Sequence, residues 1–240
     1  MKNVVIMGAS GTIGKALVKK FYNSGFNVFG SYYLNKNELD NLSASLKVRQ
    51  NRFCYYYCDQ TSEKSVKEFF NEFAKIFGKI DCLICSAGVS KPNLIIDQSF
   101  DNLSREINVN LIGTILVNKE SLNYFSDFGG SIINIASIWG NVGASFESTY
   151  SATKGGVIAF SKSLAKEIGS KNITVNTISP GLIISKMNSH LTKADIELVK
   201  NESAINKLPS ALSVAKTALF LTKSPHITGT NITIDCGFTL

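Results

Sequence analysis

The opening of this chain constrains it most. Val4-Val-Ile-Met7 is wholly apolar and runs directly into Gly8-Ala-Ser-Gly11-Thr-Ile-Gly14. A strand with no polar alternation is expected where both of its faces are buried. A helix follows over about 13–23, closed by Ser24-Gly25. The same alternation continues to the end of the chain. Further strands are expected at 27–32, 53–58, 80–86, 131–136, 173–178 and 231–234, and helices at 37–48, 101–125, 148–168 and 211–221. Another helix begins near Ser62, with Val66, Phe69, Phe70, Phe73, Ile76 and Phe77 as its core stripe. Seven strands alternating with helices predict an α/β fold: a doubly wound parallel seven-stranded sheet with helices on both faces. No linker or repeat interrupts residues 1–240, so one domain is expected, with the polar, weakly periodic stretch 182–208 as a lid.

Composition excludes several classes. The chain is 44% hydrophobic, enough for a sizeable core, yet no apolar run reaches membrane-span length. The first residues enter a strand pattern rather than a signal peptide, so a cytoplasmic location is expected. The net charge of +7 comes from scattered lysines without a basic stripe, which argues against nucleic acid. Five cysteines suggest metal or redox chemistry, but Cys82 and Cys85 are three apart on a strand and face opposite sides. No metal site is expected.

The glycine turn stands where a dinucleotide pyrophosphate rests on a helix N-terminus. A ribose-binding acid would follow at the end of the second strand, about 20 residues on. Gly30-Ser-Tyr-Tyr-Leu-Asn-Lys36 holds no acid there, but offers Ser31, Asn35 and Lys36 to a 2′-phosphate. NADP(H) is therefore the expected cofactor, the alternative for Lys36 being a solvated cap residue. Asp59, just past the third strand, is placed either to accept from the adenine amino group or to cap the next helix.

Tyr150 and Lys154 are four residues apart and share a helix face, with Ser137 upstream. A free phenol, with a pKa near 10, is a poor acid or base at neutral pH, and a nearby cation favours its ionised form. The pair is placed to manage a proton.

Taken together, Gly8-x-x-Gly11-x-x-Gly14, Asp59, Ser86-Ala-Gly88, Asn110, Ser137, Tyr150-x-x-x-Lys154, Ser179-Pro-Gly181 and Ile227-Thr-Gly229 resemble the short-chain dehydrogenase/reductase family over essentially the whole chain. The resemblance implies a Rossmann-type fold. It makes Tyr150 the proton donor to a carbonyl that Ser137 orients. Lys154 would lower the tyrosine pKa and bind the nicotinamide ribose, and Asn110 would hold a relay water. Ile183 and Ser185, beyond Pro180-Gly181, would bind the carboxamide. Ser10, Thr12, Ile13, Gln60, Ala87 and Gly88 would complete the cofactor wall. The family's usual Asn-Asn-Ala-Gly reads Cys85-Ser-Ala-Gly88 here, and Thr12 replaces a glycine.

Within the family, the overall pattern is similar to the 3-oxoacyl-(acyl-carrier-protein) reductases, although Phe128 takes the place of one of their two carrier-docking bases, Lys171 keeping the other. A narrower likeness covers Ser137-Ile-Trp-Gly140, Gly143-Ala-Ser145, Glu147 and Lys186-Met-Asn188, which resemble the elongation factor P 5-aminopentanone reductases. In that reading Trp139 and Glu147 border the substrate and the carboxylate meets its ammonium; otherwise Glu147 is an acid favoured by the helix dipole. A non-catalytic NADP sensor is a third reading. The resemblance also implies a homotetramer joined through helices 101–125 and 148–168. Leu111, Ile115, Leu122, Val157, Phe160 and Leu164 would either supply that surface or face the sheet.

Overall fold

The computed structural model describes residues 1–46 and 52–240. Among the described residues, seven strands form one sheet in the order β3-β2-β1-β4-β5-β6-β7, with every pairing parallel. They are β1 (Asn3–Met7), β2 (Asn27–Tyr32), β3 (Phe53–Tyr57), β4 (Cys82–Cys85), β5 (Gly130–Ile135), β6 (Ile173–Pro180) and β7 (Asn231–Ile234). Helices α1 (Thr12–Asn23), α2 (Lys36–Ser45), α3 (Glu63–Phe77), α4 (Phe100–Ile107) and α5 (Thr114–Ser121) lie before β5 in the chain. They are followed by α6 (Trp139–Val142), α7 (Ser148–Ile168), α8 (Lys193–Glu202) and α9 (Ala211–Thr222). The expected helix 37–48 is thus seen to Ser45, and Lys47 and Val48 lie outside the described residues.

The apolar opening behaves as its pattern requires. Val4 and Ile6 enter the core layer beneath α1 and α9, while Val5 and Met7 enter the opposite layer beneath α3 and α7. Cys82 and Cys85 divide the same way, one to each layer. Burial pushes the Cys82 thiol up to about 12, as suits an inert core residue.

On α3, Val66, Phe69, Phe70 and Phe73 are buried, and the Phe69 ring lies 5.0 Å from Phe29 and 5.4 Å from Phe70. Ile76 departs from the expected stripe and is 49% exposed. The helix cap is Ser62, whose hydroxyl accepts from the Ser65 N–H; Asp59 instead accepts from the Thr61 N–H and hydroxyl.

The expected helix 101–125 is interrupted. Asn108–Gly113 form a π-helical turn between α4 and α5, a wider winding that often marks functional positions. Gly113 permits the close approach of Gln60, whose side-chain amide donates to the Val109 carbonyl at 2.6 Å. Of the apolar residues considered for subunit contact, Val157 and Leu164 are buried, and Leu111, Leu122 and Phe160 pack on the chain's own core. The expected lid contains α8, started by a Thr192–Asp195 capping box. No helix among the described residues is long and apolar enough to cross a membrane.

Phe69→Ala is expected to destabilise the protein by about 3–5 kcal/mol through cavity formation. Ile76→Ala on the same helix should stay within about 0.5 kcal/mol. Urea unfolding of the two variants checks this division of the stripe.

Candidate functional site

One cavity of about 1270 Å³ runs from the glycine turn to Tyr150, along the carboxyl ends of the strands. That is the crevice where open parallel sheets bind ligands. At one end the chain turns from β1 into α1. Gly8 has φ 73°, and a Cβ there would meet the Ala87 backbone at 2.7 Å. Gly14 is tighter, its added Cβ falling 2.1 Å from the Gly8 carbonyl. The turn is tied to β2, where Ser31 Oγ accepts from the Gly8 N–H at 2.8 Å. The N-cap of α1, Gly11, has no side chain to occupy the first helical N–H groups, and no acid stands in the first turn. An uncapped helix start beside a glycine turn suits a phosphate. These residues fit the pyrophosphate of a dinucleotide, and the cavity is large enough for such a cofactor together with a substrate.

Nearly all of the expected cofactor residues line this cavity: Gly8, Ser10 to Gly14, Ser31, Asn35, Asp59, Gln60, Ala87, Gly88, Pro180, Gly181, Ile183 and Ser185. Lys36 does not. Its ammonium is bound to Asp40 at 2.8 Å, and the Tyr55 hydroxyl donates to the same oxygen at 2.6 Å. The wall also carries Lys15, Glu38 and Lys186, none of which was expected to face the cofactor. Lys15 directly follows Gly14, and that adjacency was the available signal.

At the other end, Ser137, Trp139, Glu147, Tyr150 and Lys154 share the wall. Ser137 follows β5, and α7 carries Tyr150 and Lys154 one turn apart. Burial pushes the Tyr150 phenol up to about 12, against a lowering hydrogen bond with Ser137, and the Glu147 and Glu106 carboxylates add to the rise. Lys154 is only 5% exposed; burial brings its ammonium down to about 8, and it donates to the Ile135 carbonyl at 2.9 Å. Its nitrogen is 5.6 Å from the Tyr150 ring centre. The phenol therefore stands above its ordinary value, burial being the largest cause. The outcome is a protonated phenol beside a cation, an arrangement that donates a proton.

Asn110 stands behind the wall, fully buried. It accepts from the Val89 N–H at 2.8 Å and donates to the Val89 carbonyl at 2.8 Å. This grip holds the β4 exit beside Lys154: a Cβ on Gly88 would lie 3.2 Å from Asn110 and 3.5 Å from the Lys154 nitrogen.

Trp139, on the same wall, is packed edge-on to Phe238 at 5.9 Å. Glu147 is the N-cap residue of α7, but its side chain does not cap; both carboxylate oxygens accept from Ser90 Oγ, at 3.0 and 2.8 Å. Burial holds this carboxyl above its ordinary value against the Ser90 hydrogen bond. Buried Glu106 accepts from the Lys91 N–H and the Gln98 amide, and its charge also raises the Glu147 carboxyl. Preceding Glu147, Phe146 has φ 64°, a strained conformation for a bulky residue at the rim of a site. Among the described residues, no group of His, Cys, Asp and Glu could hold a metal.

Comparison with known proteins agrees with this geometry. The family model for short chain dehydrogenase matches residues 2–196. The mouse 3-oxoacyl-[acyl-carrier-protein] reductase is 31% identical over 239 residues, covering 100% of this chain and 98% of its own. Carbonyl reductase family member 4 of Xenopus laevis is 33% identical over 246 residues, with 100% and 98% coverage. A crystal structure of a short-chain dehydrogenase/reductase from Brucella melitensis superposes with a TM-score of 0.94 at 28% identity, covering 100% of this chain and 97% of that one. A glycine turn open to phosphate and a Ser–Tyr–Lys wall at the far end of one crevice thus place the chain in the short-chain dehydrogenase family, nicotinamide-dependent oxidoreductases acting on carbonyl and hydroxyl groups.

Proposed function

We propose that this protein is an NADPH-dependent reductase of a ketone, of the 3-oxoacyl-thioester type. The observation that carries the reading is the convergence of Ser137, Tyr150 and Lys154 on one wall of the cavity that begins at the α1 N-terminus. The cofactor, when bound, supplies the hydride. The chain's own residues manage the carbonyl oxygen. Ser137 donates to that oxygen and orients it, and Tyr150 transfers its proton as negative charge develops there. The Lys154 ammonium stabilises the phenolate left behind. Asn110, by fixing Val89 and hence Gly88, keeps the floor of the site in register with Lys154. The names of the relatives support a 3-oxoacyl group on an acyl carrier protein as substrate.

One observation favours a second reading, the 5-aminopentanone on a lysine of elongation factor P. Glu147 is freed from capping and lines the cavity with Tyr150. The Glu147 carboxylate there would attract a substrate ammonium, which an acyl chain lacks. On the carrier side, Phe128 is 95% exposed where the carrier-protein reductases dock an acidic partner through a base. We further propose that the protein works as a homotetramer.

Tyr150→Phe should lower kcat for ketone reduction by roughly 10²–10⁴, the usual worth of a positioned proton donor, while leaving cofactor affinity unchanged. Unaltered turnover would show that the phenol is not the donor. Reduction should hold steady near neutral pH and decline above about 8, where Lys154 loses its proton, since the phenol keeps its own to about 12. A pH–rate profile level to about pH 10 would count against the ammonium. For the substrate, an acetoacetyl thioester and 5-aminopentanonylated elongation factor P are offered separately with NADPH. Glu147→Gln should raise KM for the aminoketone by roughly tenfold and leave the thioester untouched if the second reading holds. Turnover of the thioester alone, indifferent to Glu147→Gln, establishes the first.

A further inference from the structure

The adenosine end of the cavity holds an ion triad assembled from three distant segments. Lys15 on the first turn of α1 reaches Glu38 Oε2 at 2.6 Å. Lys186, in the segment following β6, reaches Glu38 Oε1 at 2.7 Å across a sequence separation of 148 residues. All three line the cavity. They meet beside the exit of β2, where dinucleotide-binding folds place the ribose 2′ position. The other cations on the wall are elsewhere: Lys154 is committed to the proton site, and Arg105 belongs to α4. Lys36 is turned to Asp40.

The chemistry of the triad is that of a phosphate site. Two ammoniums and one carboxylate leave a net positive charge. Each carboxylate oxygen already accepts from an ammonium, so Glu38 presents cations to the cavity rather than a free acid to a ribose hydroxyl. The pairs are solvent-accessible, with side-chain exposures of 33% for Lys15, 29% for Glu38 and 81% for Lys186. Such pairs are held weakly and can be shared with a dianion.

We propose that Lys15 and Lys186 are the residues that bind the cofactor's 2′-phosphate, with Glu38 positioning both ammoniums. The inference rests on the NADPH reading and replaces Lys36 in it.

Calorimetric titration of the full chain with adenosine 2′,5′-bisphosphate and adenosine 5′-monophosphate tests this without any turnover. The wild type should prefer the bisphosphate. Lys15→Met and Lys186→Met should each reduce that preference by roughly tenfold, as for a lost charge-assisted hydrogen bond, and leave the monophosphate unchanged. Lys36→Met should have no effect. Glu38→Gln should weaken the preference even though it removes a negative charge, because both ammoniums lose their anchor. If the wild type prefers the bisphosphate but only Lys36→Met abolishes the preference, or neither Lys15→Met nor Lys186→Met changes it, the lysine pair is wrong while the NADPH reading stands. A stronger preference in Glu38→Gln overturns the positioning role. A wild type binding both nucleotides equally removes the NADPH reading and the inference with it.

Discussion

The structure depends on how closely the chain can pass itself where it leaves β1 and β4. These strands are neighbours, in register from Val4 with Cys82 to Met7 with Cys85. The Ser86 N–H and hydroxyl both donate to the Met7 carbonyl, at 3.1 and 2.7 Å, and so extend the seam past the last strand residues. Gly8 then passes the Ala87 backbone at a distance that leaves no room for a Cβ. From this point β2 and β3 lie to one side and β5, β6 and β7 to the other. The connections diverge and the crevice opens between them. The phosphate end and the proton end are two walls of that one opening.

Burial is what gives the proton end its character. Lys154 and Tyr150 are groups of opposite charge type, so the same loss of water moves them in opposite directions: the ammonium down to about 8, the phenol up to about 12. At neutral pH both are protonated, which suits delivery of a proton to an oxygen. Glu147 and Glu106 reinforce this by raising the phenol further. A carboxylate on the cavity wall therefore bears on the proton affinity of Tyr150, and Ser90 holds it in place.

The glycine turn, the strands and the Tyr150–Lys154 helix were legible from residue types because the forces behind them are local. Apolar runs report strands buried on both faces, and spacing by four reports a helical face. The long helix 101–125 was read as continuous because its composition has no breaker before Gly113. The π-helical turn falls instead where this segment is bonded to Gln60 and Val89, which belong to other connections. Ile76 fitted the helical period of α3 yet is exposed, while its neighbour Phe77 packs against Phe29 with the ring centres 6.2 Å apart. Lys36 lies outside the crevice wall and pairs with Asp40, one turn away, whose carboxylate also accepts from Tyr55 on β3.

By itself the amino-acid order determined the alternation of strands and helices, the place of the phosphate turn and the residues of the proton site. Each depends on spacing within one segment or on the known order of connected segments. Only the tertiary structure decided which charges face the crevice. It set Lys15, Glu38 and Lys186 together, freed Glu147 from its cap and put Asn110 behind the wall. Ion pairs and buried hydrogen bonds act over a few ångströms in space, and no periodicity along the chain records which distant residues come that close.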